Sequence, residues 1–254
     1  MKIARALVGG RPTYGEVTAD RFRPLAGDPF VHRDGGPALG GDDLPLSELP
    51  LLCPVEPRTM LAVMGGFLEP GQTRDAERPP MVLCPKIVPE PSGQGGTVVR
   101  PPSVDSLVME AEMAVVVGAT LRHASAEEAA EAIWGYTCCN DATATQFFPQ
   151  FYLAKGFDTF CSLGPWVVTD LTPDQVEAGL AIVGRRNGEE VQRASTADYK
   201  YLPWEWLAYV STVLTLVPGD VVTLGTPPPP PPVVPGDVVE IDVEGIGVLS
   251  NHIA

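Results

Sequence analysis

Met109-Glu110-Ala111-Glu112-Met113-Ala114-Val115-Val116-Val117 is the stretch on which both the fold and the chemistry turn. Its valine-dense second half predicts a buried strand. Residues two apart in a strand project to one face, so Glu110 and Glu112 stand side by side with Cα atoms roughly 6.6 Å apart. Two carboxylates facing a protein interior repel each other and lose hydration unless a cation compensates them. The same alternation also describes the polar side of an edge strand, and at this level both readings stand.

Working outward, Gly135-Tyr136-Thr137-Cys138-Cys139-Asn140-Asp141 is a second short apolar segment that ends in polar residues. Asp141 joined to Glu110 and Glu112 makes an all-oxygen set that suits Mg²⁺, Mn²⁺ or Ca²⁺ and does not suit zinc. Magnesium held by three carboxylates keeps about three positions for water or a chelating substrate. A 1,3-dicarbonyl or a 2-oxo acid would chelate there, and the ion would stabilise its enolate.

The remainder of the 254 residues reads as strand-rich. Residues 1–25 alternate like a hairpin turning at Gly9-Gly10-Arg11-Pro12, and 26–50, rich in Gly, Pro and Asp, suit a linker across the surface. Residues 64–102 form a second loop-rich stretch in which Ser92-Gly93-Gln94-Gly95-Gly96 suggests mobility. Ser125 ahead of Glu127 and Glu128 predicts a capped helix, and Leu202 to Leu216 carries helical spacing. Val217-Pro218-Gly219-Asp220 and Val234-Pro235-Gly236-Asp237 both read as turns that feed strands. Between them, Pro227 to Pro232 predicts stiff polyproline II that cannot enter a sheet interior.

Composition narrows the function classes. Lys plus Arg number 17 against 32 Asp plus Glu, a formal charge of −15, which disfavours phosphate backbones and anionic lipid, so no nucleic acid and no membrane partner is expected. With 26 Gly and 28 Pro, an all-helical bundle is excluded. Cys53, Cys84, Cys138, Cys139 and Cys161 form no CxxC pair and suit reduced thiols. Met1-Lys2-Ile3-Ala4-Arg5 leads straight into a strand with no leader-like core, and no apolar run approaches roughly 18 residues. A soluble, cytoplasmic protein is the expectation.

These segments together resemble the fumarylacetoacetate hydrolase family. Its members tend to carry Glu-x-Glu-x-Ala-Val-Val-x-Gly, here Glu110 to Gly118, and a Gly-Tyr-Thr-x-x-Asn-Asp segment, here Gly135 to Asp141. A Lys-x-Phe-Asp-Thr-Phe-x-x-Leu-Gly-Pro element follows at Lys155 to Pro165. The end agrees through Leu216 to Asp220, Gly225-Thr226-Pro227, Pro235 to Val239 and Gly245-Ile246-Gly247. The resemblance implies a β-rich α+β fold, a mixed β-sandwich roll over residues 51–254 behind a small N-terminal domain and linker at 1–50, and a homodimer. It also implies Mg²⁺ or Mn²⁺ on Glu110, Glu112 and Asp141, with Lys155 and Thr226 beside the substrate as catalytic groups.

The chain departs from the pattern in one direction. Hydrolytic members carry Asn-Tyr-x-x-His-x-x-Glu, whose His–Glu pair activates water, whereas Val63 to Pro70 holds no histidine. His32, His123 and His252 lie elsewhere, and although Glu69 or Glu77 could take over as base, no sequence signal marks either. Leu83-Cys84-Pro85-Lys86 puts Cys84 where the family's Phe-x-Lys-Pro lysine is expected. In place of Ser-Ala-Arg-Asp-x-Gln stands Thr143-Ala144-Thr145-Gln146-Phe147-Phe148, so Thr145 and Phe148 replace an arginine and a glutamine. Phe147, Phe148, Phe151 and Tyr152, with Thr145, suit a bulky, partly apolar small-molecule substrate, and a core cluster explains the aromatics equally.

Losing a general base costs about 10²–10⁴ in rate, while enolate stabilisation carries no such penalty. The expectation is a non-hydrolytic isomerase, decarboxylase or cyclase acting on an enolisable substrate, as in natural-product biosynthesis. The competing readings are a metal-dependent acylpyruvate-type hydrolase with a substitute base, a non-catalytic scaffold, and a metal-free cavity catalyst.

Overall fold

The Ala111–Val117 strand is buried along its whole length because it lies near the middle of a ten-stranded sheet. In this computed structural model, which describes residues 1–30, 38–74 and 78–254, the sheet runs in the order 44–45, 21–24, 11–18, 2–8, 162–168, 133–140, 111–117, 221–223, 60–63 and 83–85. The alternation of the strand serves two cores. Met113, Val115 and Val117 enter the larger one, and Ala114 and Val116 enter a second one with Cys139, Cys161, Val55 and Met60. The edge-strand alternative for Glu110 and Glu112 is thereby overturned.

A five-stranded sheet, ordered 189–195, 181–186, 238–243, 247–253 and 97–98, supplies Ile182, Val239, Ile241 and Leu249 to the larger core. A three-stranded sheet of 143–144, 107–108 and 232–233 closes the region beside the acids. The architecture is the expected β-rich α+β type. Ser125 and Glu128 form a reciprocal cap on the Ala126–Glu131 helix, and Pro203–Val213 is the second predicted helix. No helix among the described residues is long and apolar enough to cross a membrane.

Both Pro-Gly-Asp segments adopt one turn. Gly219 and Gly236 have φ of 90° and 98°, and the Asp220 and Asp237 carboxylates each accept the N–H three residues back, at 2.8 and 2.9 Å. The proline run stays out of any sheet interior and ends on a sheet edge, at Pro232–Val233, and its Pro228–Pro229 bond is cis.

Two loop expectations need correction. The described part of 26–50 does more than cross the surface: Leu44–Pro45 extends the large sheet, and Leu44, Leu46 and Leu49 pack on Ala4, Ala6, Val17 and Phe22. Ser92–Gly96 is tied down on both sides. Ser92 and Ser162 hydroxyls meet at 2.6 Å, the Gly95 N–H donates to Ser250 O at 2.8 Å, and a Cβ on Gly93 would lie 2.4 Å from the Leu52 backbone. Glycine here permits close backbone contact, which composition alone does not distinguish from freedom of motion.

Candidate metal and enolate site

Antiparallel pairing places Ala111 opposite Asn140, so the start of one strand and the end of its neighbour meet. Glu110 precedes the first, Asp141 follows the second, and the Asp141 N–H donates to Glu110 O at 3.1 Å. Glu112 lies one pleat further along, opposite Cys139. Carboxylate oxygens of Glu110, Glu112 and Asp141 all lie within 4.8 Å of one another, and all three residues are buried.

Two lysines answer this charge. Lys155, at the end of the short Phe151–Lys155 helix, places its Nζ 2.5 Å from Glu110 Oε2, 2.6 Å from Asp141 Oδ2 and 2.9 Å from Thr143 Oγ1. Lys86 makes an ion pair with the other Asp141 oxygen. Burial works against the Lys155 ammonium, yet Asp141, Glu110 and Glu112 hold its pKa above the ordinary lysine value. Burial would likewise raise Asp141, but Lys155 and Lys86 keep it below the usual carboxylate range. Glu110 is pushed up by burial, and Glu112 is pushed well up by burial and by Asp141.

Glu112 is the under-served acid. Its Oε2 accepts the Gly225 N–H at 2.8 Å, while its Oε1 is buried with no hydrogen-bond partner. Three carboxylates, all hard oxygen ligands, against only two ammonium groups, together with an orphaned buried oxygen, fit a hard divalent cation. Such an ion would share Glu110 and Asp141 with Lys155, because that ammonium now bridges them.

Lys86 corrects the sequence reading. Cys84 stands where the family's lysine was expected, and it is Lys86, just beyond the Leu83–Pro85 strand, whose buried ammonium reaches the acids. Thr226 follows Gly225, whose N–H bonds Glu112, and its Oγ1 donates to Ala111 O at 3.3 Å. Gln192, which donates to Thr226 and accepts from the Ala111 N–H, was not anticipated, because nothing local in Val191-Gln192-Arg193 marks it.

The remaining predicted residues are more scattered. Thr145 bonds to Ser106 Oγ at 2.9 Å. Phe147 packs against Phe157 at the margin of the larger core, Phe148 stacks edge-on with Phe151, and Phe148 and Tyr152 are exposed. His123, His252 and Glu69 are exposed, and none is among the groups that contact the acids, while His32 and Glu77 fall outside the described residues.

The profile of the fumarylacetoacetate (FAA) hydrolase C-terminal family matches residues 71–254, and an Rv2993c-like N-terminal profile matches 1–54. A Methanocaldococcus jannaschii protein is 38% identical over 159 residues, which cover 61% of this chain and 65% of that one. Human mitochondrial oxaloacetate tautomerase FAHD2B is 33% identical, covering 83% of this chain and 71% of its own. The crystal structure of Mycobacterium smegmatis 5-carboxymethyl-2-hydroxymuconate delta-isomerase superposes with a TM-score of 0.88 at 31% identity, covering 100% of this chain and 99% of that one. Maleylpyruvate hydrolase from Sphingobium, in complex with manganese(II) ion and pyruvate, superposes with a TM-score of 0.79 at 25% identity, again over 100% and 99%.

Proposed function

Because this chain belongs to the fumarylacetoacetate hydrolase family, we propose that it is a non-hydrolytic enzyme acting on an enolisable 2-oxo acid or 1,3-dicarbonyl, an isomerase or tautomerase before a C–C hydrolase. One observation carries this reading. The site gathers groups that stabilise negative charge, Lys155 and Lys86 among three acids, while neither described histidine is among their contacts and Val63 to Pro70 has none.

Glu110, Glu112 and Asp141 would hold Mg²⁺ or Mn²⁺, which when bound supplies a Lewis acid for enolate formation. Lys155 remains an ammonium, since its carboxylate neighbours raise its pKa. Its task is therefore to stabilise a developing oxyanion and not to abstract a proton. Thr226 contacts the substrate at the lip of the site. The buried walls exclude water, which strengthens each of these charge interactions. The exposed rings of Phe148, just before the helix that carries Lys155, and of Tyr152, on that helix, would receive a bulky apolar portion of the substrate.

The test is incubation with oxaloacetate and with an acylpyruvate, each with Mg²⁺ or Mn²⁺. Enol–keto interconversion of oxaloacetate with the acylpyruvate left intact supports the proposal. Rapid release of pyruvate and a carboxylic acid from the acylpyruvate overturns it in favour of hydrolysis.

A further inference from the structure

Arg5, on the Lys2–Val8 strand, has a side chain only 13% exposed, while Glu56, its ion-pair partner at 2.7 Å, is 68% exposed. A guanidinium carries five N–H donors, and among the described residues Glu56 is the only acceptor that this one meets. Arg5 lines a cavity of about 650 Å³ that lies between residues 51–57 and residues 89–96. That is the size of a small-molecule pocket. Its place, where the segment matched by the N-terminal profile meets the hydrolase-family segment, is one where such pockets concentrate.

The walls are preformed. Asn251, fully buried, donates from Nδ2 to Gly93 O at 3.5 Å and to Gly96 O at 3.3 Å, and the Ser92 N–H donates to Cys161 O at 3.0 Å. The 92–96 wall therefore needs little ordering when a ligand enters. Gln94 Oε1 accepts the Ser250 N–H at 3.1 Å, which leaves the amide N–H groups of Gln94 without an acceptor among the described residues. Arg5 is the one basic residue of the lining. Glu56 and Glu90, both exposed, are its acids, and Leu51, Leu52, Val55 and three prolines supply apolar surface. A ligand with a carboxylate alone gains Arg5 but meets two acids. A ligand with an ammonium alone gains the acids but leaves Arg5 with a half-exposed pair that is worth little. A zwitterion satisfies both signs.

We propose that this cavity is a binding site for a small zwitterion, an α-amino acid with an apolar side chain. The ligand carboxylate takes the remaining Arg5 N–H donors and the Gln94 amide, its ammonium lies toward Glu56 and Glu90, and its side chain packs on the leucines and prolines. The site shares no residue with the cluster of Glu110, Glu112 and Asp141, so it stands whether or not the proposed reaction does.

The probes are L-leucine and L-phenylalanine, set against isocaproate, which is leucine without its ammonium, and isoamylamine, which is leucine without its carboxylate. All are titrated calorimetrically into the full chain in chelator, so that no metal holds the ligand. The expected result is one site per chain for at least one amino acid, with leucine bound about tenfold or more tighter than either half-probe, because each lost end removes a charge-assisted hydrogen bond. Arg5→Met should weaken leucine about tenfold or more. Because Arg5 sits in a strand, Glu90→Lys on the exposed rim serves as the companion variant: it weakens leucine and strengthens isocaproate. Saturable binding of neither amino acid, a half-probe that binds as tightly as leucine, or a Glu90→Lys protein with wild-type affinity for both ligands overturns the proposal.

Discussion

Lys155 Nζ lies 2.6 Å from Asp141 Oδ2 in a part of the protein where both side chains are withdrawn from water. The same ammonium reaches Glu110 at 2.5 Å, so a single side chain holds together two strand ends that would otherwise repel. Breaking a buried pair by removing one partner costs about 3–5 kcal/mol, because the other charge is left uncompensated. Lys155→Met is therefore expected to lose about that much stability in metal-free buffer. Saturating Mg²⁺ should restore more stability to this variant than it adds to the wild type. Urea unfolding with chelator and with magnesium measures both, and an equal loss in the two buffers would remove the ion from the account.

Glu112 offers the opposite trade. One of its oxygens has no partner, and burial pushes its carboxyl well above the ordinary range. Glu112→Gln retains the oxygen that accepts from Gly225 and removes a costly charge. Its metal-free stability should fall by no more than about 1 kcal/mol, or rise. The variant should lose the gain that a bound ion gives, about 2.7 kcal/mol at one hundred times the dissociation constant. Thermal melts across a magnesium series decide this, and a wild-type-like rise in Tm for the variant speaks against Glu112 as a ligand.

Much of this was legible in the sequence, and the exceptions have physical causes. The Glu110–Glu112 pair was readable because a strand has a period of two, and the choice between core and edge followed once the valines on both faces were seen to be buried. The hairpin was readable too: Gly9 and Gly10, with φ of 56° and 79°, are the two-residue turn between strands 2–8 and 11–18. Lys86 escaped because its partner, Asp141, is distant in sequence and is brought to it only by the fold. Gln192 escaped because its partners, Ala111 and Thr226, are 81 and 34 residues away, and no local pattern encodes such a contact. The Ser92–Gly96 loop reads as mobile for the same reason that it packs tightly, since glycine serves both ends.

Gly66 tests whether the stretch that lacks the family histidine still shapes the site. A Cβ there would lie 2.3 Å from Leu224 O, next to the Gly225 N–H that bonds Glu112. Gly66→Ala forces the backbone apart at a cost of about 1–3 kcal/mol and displaces that N–H. A lowered Tm together with weaker manganese binding by calorimetry is expected, and wild-type values in both would show that the contact does not hold the site.

The five cysteines are free and buried, and burial pushes the thiols of Cys53 and Cys138 up to about 12. Since the thiolate is the reactive form, the native protein should resist Ellman's reagent at neutral pH and expose all five cysteines on unfolding in guanidinium. Fast labelling of any one of them in the native state would contradict this packing.

The account stands most directly on where the three acids point when a cation is offered. Crystals grown with ample manganese(II), with data collected for anomalous scattering, should show a peak between Glu110, Glu112 and Asp141, with Lys155 drawn aside from the oxygens it now bridges. Absence of a peak, with Lys155 still spanning Glu110 and Asp141, would contradict the metal-assisted reading and leave only the family scaffold.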